Sequence, residues 1–331
     1  MNELLKKEEQ MNVEILGNEV IQGKQITREE AHWLYGQPFK ELCQKADEIR
    51  RFFCSNGFDI CTIINGKSGR CSENCRFCAQ SAHNHTGAEE YPLLSTEEIL
   101  AQAKRNEEQG VLRYSIVTSG KRLSDREVDQ MCEAVEQIRR ETDIGVCISF
   151  GLLEEEQYRR LKEAGVTRVH NNLETSRRNF PNVCTTHTFE DKINAIRAAQ
   201  AAGLSVCSGG IMGLGETVED RIDMAFTLRE LGIKSVPVNM LNPIQGTPFA
   251  HNRRLTKEDM CRIVAVYRFI LPDASIRLAG GRGLLGDKGE SCFQSGANAA
   301  ISGDMLTTAG ITVETDMRLL KELGYEVRYG K

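Results

Sequence analysis

The sequence lacks most of what would mark a membrane, nucleic-acid-binding or secreted protein. No apolar run approaches the ~18–20 residues needed to cross a bilayer. Lysines and arginines number 42 against 47 aspartates and glutamates, a net charge of −5, so no basic excess is available for a nucleic-acid backbone. The N-terminal stretch has no apolar core of the secretory type. The expectation is a cytoplasmic protein that engages neither membrane nor nucleic acid. Only seven of the 331 residues are proline, and no Pro/Gly-rich linker or low-complexity segment divides the chain. A Ser–His–Asp or paired-carboxylate constellation is also missing. GLGET at 213–217 is neither G-x-G-x-x-G nor a P-loop lysine motif. It reads as a tight strand-to-helix turn with Thr217 as N-cap.

What is present in excess is cysteine, twelve in all. In a long chain with no secretory signal, that number points to metal ligands or catalysis rather than disulfides. The frame around the cysteines is regular. Strand-like runs occur at 59–65, 111–118, 144–150, 168–174, 205–212, 235–241, 275–279 and 299–303. Between them, stretches at 96–109, 124–142, 154–164, 189–202, 218–231 and 257–270 carry apolar residues at i, i+3 and i+4. Ser95, Ser124, Thr217 and Thr256 stand where N-caps belong. A glycine-containing stretch at 284–295 is a weaker helix. Eight strand–helix units over ~250 residues predict a TIM-type (β/α)8 barrel. Residues 1–55, with helices at 28–35 and 38–54, form an N-terminal helical extension, and 56–331 form the barrel, ending in a helix within 312–331. An open doubly wound sheet is the alternative architecture.

GRCSENCRFCAQS places Cys71, Cys75 and Cys78 at C-x3-C-x2-C, directly after the first strand. In a barrel that loop lies at the C-terminal mouth, where active sites sit. Thiolates suit an iron–sulfur cluster or zinc. Three of them serve three irons of a four-iron cube and leave the fourth open to substrate. Zinc usually takes paired C-x2-C units or downstream histidines, and no second pair follows; His83 and His85 are the only histidines nearby. Phe77 beside Cys78 is either packing or a platform for an adenine.

This spacing resembles the radical S-adenosylmethionine superfamily. The order and content of TIINGKSGRCSENCRFCAQSAHNHTG, HNNLETS, VCSGGIMGLGET, VPVNMLNPIQGTP, IRLAGGRG and CFQSGAN resemble the biotin synthase family, from about Cys61 to the end of the barrel. The resemblance implies a [4Fe–4S] cluster, S-adenosylmethionine, a 5′-deoxyadenosyl radical and sulfur insertion into dethiobiotin from an auxiliary iron–sulfur cluster. It further implies a flavodoxin- or ferredoxin-type donor and a homodimer. Other barrel-type radical enzymes, a maturase or a mutase, share the triplet. An electron-transfer or iron–sulfur storage protein would also carry clusters but would not cleave S-adenosylmethionine.

By the same resemblance, Cys147 in GVCISFG, Cys207 in SVCSGGI and Arg277 in SIRLAGG match ligands of the auxiliary cluster, Arg277 also counting as catalytic. The family's remaining cysteine aligns with Ser115, a departure. Side chains from alternate barrel strands share a layer, so Cys61 on strand one is positioned to complete the set with Cys147, Cys207 and Arg277. A changed ligand set leaves both a [2Fe–2S] and a four-iron form open. The resemblance assigns Thr118 in TSG, Asn172 and Glu174 in HNNLETS, together with Phe77, to S-adenosylmethionine. Asn239 in VPVNML matches a contact to the ureido ring, and His170 is a further substrate candidate. His187 replaces an arginine that lies near the methionine carboxylate in some relatives. Cys184 and Cys54 are secondary ligand candidates; Cys43, Cys132, Cys261 and Cys292 read as structural thiols.

Overall fold

The computed structural model describes residues 12–329; the first eleven residues of the expected extension and the last two of the chain lie outside the described residues. Three helices come first: α1 (Val13–Ile21), α2 (Arg28–Tyr35) and α3 (Phe39–Cys54). Of these, α1 is absent from the sequence reading. Leu16, Leu34, Leu42 and Ile49 place their apolar faces in the same continuous core as the barrel.

The barrel strands are β1 (Gly57–Lys67), β2 (Arg113–Thr118), β3 (Gly145–Ser149), β4 (Arg168–His170), β5 (Ser205–Cys207), β6 (Gly210–Met212), β7 (Ser235–Met240), β8 (Ser275–Leu278) and β9 (Ala299–Ser302). All pair in parallel, and β9 closes onto β1. Because β5 and β6 both pair with β7, they form one broken stave, and the closed barrel has eight. Outside lie α4 (Thr96–Glu108), α5 (Asp125–Glu141), α6 (Glu155–Ala164), α7 (Phe180–Val183), α8 (Phe189–Ala201), α9 (Val218–Glu230), α10 (Lys257–Ile270), α11 (Glu290–Phe293) and α12 (Val313–Glu322). A short β10 (Glu326–Val327) extends the sheet beside the start of β1.

The helices begin where side-chain oxygens can satisfy their first N–H groups. Ser95, Ser124, Thr217 and Thr256 each accept from the backbone of the residue three positions on, and each receives a reciprocal carboxylate. Three departures from the sequence pattern matter for the site. The stave expected at 205–212 breaks at Ser208–Gly209, where a Cβ on Gly209 would lie 2.0 Å from the Pro237 carbonyl oxygen. The stave expected at 168–174 stops at His170, and the chain turns through Glu174 at φ 66°, a left-handed conformation rare outside glycine. The weak helix at 284–295 resolves into a 3-10 turn, Arg282–Leu284, and the single turn of α11.

Candidate active site

The cluster-type loop leaves β1 and folds back over the barrel mouth. Cys71 N–H donates to the Gln80 carbonyl at 3.0 Å, and Ala82 N–H to the Cys71 carbonyl at 2.9 Å. Asn84 Nδ2 donates to the carbonyls of Cys75 (3.1 Å) and Cys78 (2.8 Å). These bonds fix the backbone without using a sulfur. The sulfurs of Cys71, Cys75 and Cys78 do not all lie within 4.8 Å of one another, as ligands of a single ion would. They face one cavity, which suits a larger group spanning them. Burial pushes the Cys78 thiol up to about 11, and a hydrogen bond with Cys184 together with burial raises Cys75 as well; a metal ion would displace such protons on binding.

Deeper in the barrel, the register brings a second set together. Cys61 pairs through Arg113 with Gly145, and Cys147 lies two residues further along β3. Cys147 pairs through Arg168 with Ser205, and Cys207 lies two residues on. Cys207 leads in the same way through Ser235 and Ser275 to Arg277, and Arg277 through Ala299 and Asp59 back to Cys61. The circuit closes: a two-residue step every second strand is the stagger that puts alternate staves into one layer. Cys61, Cys147, Cys207 and Arg277 are therefore coplanar across the barrel. Ser115 instead stands beside Cys147 on β2, in register with it and buried.

A charged floor lies beneath this layer. Asp59 receives Arg277 at 2.9 Å, Arg113 at 3.4 Å and Arg168 at 3.5 Å. Burial disfavours its charge, but the three guanidiniums outweigh burial and hold the carboxyl at about 2. Three cations on one anion leave a positive field for thiolates. A hydrogen bond from Cys61, helped by Arg168 and Arg113 against burial, lowers Cys147, and Cys61 is raised in exchange. Burial pushes Cys207 up, but the His170 hydrogen bond and the charges of Arg277 and Arg168 bring it down to about 7. Arg277 Nη1 donates to the carbonyls of Asp59 and Ala300. Its Nη2 touches Asp59 Oδ1 out of line, so both atoms stay buried without a hydrogen bond. An unsatisfied guanidinium nitrogen among three thiols is a donor set with room for an anionic cluster.

The two groups bound a single cavity of about 400 Å³, within the size range of small-molecule sites. Thr118 ends β2 on its wall, and the adjacent Ser119 Oγ donates to the Gly69 carbonyl at 2.8 Å, tying that wall to the cluster loop. Asn172 Oδ1 accepts from Gly209 N–H at 3.1 Å. Glu174 Oε2 is buried with no partner, and burial raises its pKa. Asn239 bridges the broken stave and the turn after β8, donating to the Gly210 carbonyl and accepting from Gly280 N–H. Phe77 packs against the Val183, Leu214, Leu241 and Phe249 cluster while also lining the cavity. His170 lines it beside Cys207.

Of the secondary cysteines, Cys184 lies beside Cys75. Cys54 sits at the opposite end of the barrel, near the start of β8, with Arg268 Nη1 at 3.6 Å; the end of α3 cannot reach the mouth. Cys43, Cys261 and Cys292 are buried, with 3.5 Å between the Cys261 and Cys292 sulfurs. Sequence reading missed Asp59, Arg113 and Arg168. The signal was available, because each stands two residues before an inward residue (Cys61, Ser115, His170) on a strand whose side chains alternate.

A parallel barrel with a three-cysteine loop over its mouth defines an enzyme of the radical S-adenosylmethionine class, and residues 67–228 match the Radical SAM superfamily. Residues 237–326 match the Biotin and Thiamin Synthesis associated domain. The chain is 60% identical to a biotin synthase of Brachyspira hyodysenteriae, over 98% of this chain and 97% of that one. It is 59% identical to a biotin synthase of Akkermansia muciniphila, over 93% and 96%. On these grounds the chain belongs to the biotin synthase family. Among solved structures it resembles a methylornithine synthase with a TM-score of 0.83 at 20% identity, covering 95% of this chain and 98% of that one, a likeness of fold.

Proposed function

We propose that this enzyme makes biotin by inserting sulfur into dethiobiotin, using S-adenosylmethionine as the radical source. Family membership over nearly the whole chain supports the reaction. The observation that carries the site assignment is the layer of Cys61, Cys147, Cys207 and Arg277, facing the same cavity as Cys71, Cys75 and Cys78. When bound, the [4Fe–4S] cluster supplies the electron that cleaves S-adenosylmethionine to methionine and a 5′-deoxyadenosyl radical, and the auxiliary cluster supplies the sulfur.

The chain's own residues do the rest. Cys71, Cys75 and Cys78 would hold the first cluster. Cys61, Cys147, Cys207 and Arg277 would hold the auxiliary one, in a [2Fe–2S] or four-iron form, with Cys61 standing in for the cysteine that Ser115 replaces. The orphaned Oε2 of Glu174 accepts from a ribose hydroxyl, Asn172 and Thr118 line the cofactor's path, and Phe77 offers a face to adenine. Asn239 and His170 address the ureido ring, an amide being suited to a urea because it both donates and accepts. The closed wall excludes water and holds reacting atoms at near-contact, which a primary carbon radical requires. No proton transfer is needed at the reacting carbons, so the reaction calls for no Ser–His–Asp or paired-carboxylate constellation. The expected setting is the cytoplasm, with a flavodoxin- or ferredoxin-type donor and a homodimeric enzyme. Among the described residues, no helix is long and apolar enough to cross a membrane.

The test is an anaerobic incubation of reconstituted enzyme with reductant, S-adenosylmethionine and dethiobiotin, scoring 5′-deoxyadenosine and biotin together. Two C–H abstractions require about two deoxyadenosines per biotin. Deoxyadenosine without biotin would overturn the substrate or the auxiliary site, and neither product with intact clusters would overturn the radical chemistry.

A further inference from the structure

A second cluster of metal-binding side chains shares one residue with the catalytic loop. The segment after α7 is clasped onto that loop. Asn74 Oδ1 accepts from the N–H groups of Thr185 (2.9 Å) and Thr186 (3.2 Å). Asn74 N–H donates to Thr186 Oγ1 at 3.0 Å, and Arg76 N–H to the Val183 carbonyl at 3.0 Å. The clasp sets Cys184 Sγ 3.3 Å from His187 Nδ1. The ligand atoms of Cys75, Cys184 and His187 all lie within 4.8 Å of one another, the only such group of three among the described residues. Glu73 Oε2, outside that group, is hydrogen-bonded to the His187 ring at 2.5 Å and orients it. Cys184 and His187 are buried at 3% and 7% exposure, so water competes weakly for them. Two thiols and an imidazole are three of the donors a tetrahedral zinc site takes, leaving its fourth position to water. The loop geometry that gathers them is held by backbone and amide bonds that use no metal.

We propose that the cluster-free chain binds one zinc-type divalent cation at Cys75, Cys184 and His187, and that this ion and the catalytic cluster exclude each other because both require Cys75. Exclusion rests on Cys75 being a ligand of the catalytic cluster; binding itself does not. The consequence is an assembly order: iron and sulfide can fill the Cys71–Cys75–Cys78 site only once this ion has left.

Cobalt(II) reports the site through thiolate-to-cobalt absorption and d–d bands of tetrahedral type. Full-length cluster-free protein is expected to bind one equivalent, and so is the Cys71→Ser/Cys78→Ser double variant. Cys184→Ser and His187→Gln, checked for folding by circular dichroism, should each bind at least about tenfold more weakly. Unchanged cobalt binding in both single variants overturns the site. Loss of binding in the double variant with retention in Cys184→Ser also overturns it, placing the ion on the cysteine triplet instead. For exclusion, zinc-loaded wild type should take up iron and sulfide more slowly than zinc-free protein, while Cys184→Ser should show no difference. Equal uptake by loaded and unloaded wild type overturns exclusion. Neither readout involves turnover, so both fail or stand apart from the proposed activity.

Discussion

Cys61 and Ser115 are the single positions on which the proposed auxiliary ligand set turns. Cys61 occupies the fourth corner of the layer with Cys147, Cys207 and Arg277, and its hydrogen bond to Cys147 is the largest influence lowering that thiol. Ser115 stands in register beside Cys147, close enough to act in the same place if it carried sulfur. Cys61→Ala is expected to retain iron and sulfide for the catalytic cluster alone, and Cys61→Ala/Ser115→Cys to regain part of the difference. Iron and sulfide analysis with Mössbauer spectra would check both. Full retention in Cys61→Ala would remove Cys61 from the ligand set, and failure of the double variant would show that β2 sits too far off the layer. Glu174 is the other residue whose surroundings speak for a ligand, since a buried unpaired carboxylate oxygen on a left-handed backbone is costly to hold.

At the scale of elements, the breaks in β4 and the β5–β6 stave shape the cavity wall. Gly209 is required there because β7 passes so close that a Cβ would meet the Pro237 carbonyl. Gly209→Ala should therefore cost ~1–3 kcal/mol in urea unfolding and should loosen the Asn172 contact to that backbone; an unchanged midpoint would mean that the strands can part without loss. The start of α9 is a second joint. Asp220 completes the capping box with Thr217 and accepts from Ser176 and Arg178, which lie beyond the end of β4. Burial raises its pKa, but Arg178, Ser176 and the cap bonds win and hold it at about 2, below the ordinary 3.8. A depressed carboxyl contributes stability that is complete above its unfolded pKa and is lost as pH falls through the folded one. Asp220→Asn should cost about 1 kcal/mol at neutral pH, the scale of a lost cap. Its deficit against wild type should shrink from pH 4 toward 2, and a deficit constant across that range would rule out this linkage.

For the whole molecule, the floor of the barrel is the structural counterpart of the cysteine layer. Asp59 is the carboxylate that three guanidiniums share, and removing one side of such a buried arrangement leaves uncompensated charge. Asp59→Asn is expected to destabilise the cluster-free protein by ~3–5 kcal/mol. The loss should be smaller once anionic thiolates and sulfide occupy the layer above, since they would take over part of the counterion role. Chemical denaturation of both forms would check this; equal losses in the two would disconnect the floor from the cluster.

The sequence by itself determined the elements of the barrel, the helix caps and the cysteine triplet, because each depends on neighbours within a few residues. It also placed Cys61 level with Cys147, Cys207 and Arg277, three positions supplied by the family resemblance, because the sharing of a layer by alternate strands is a rule that runs along the chain. What only the tertiary structure decided depends on approach between distant segments. The Gly209 break follows from the position of Pro237. The remoteness of Cys54 follows from which end of the barrel α3 meets. The triple arginine floor needs β1, β2, β4 and β8 together, and the Cys184–His187 clasp joins loops more than one hundred residues apart. Local preference carries no information about such distances; they are fixed when the staves close and the buried charges find their partners.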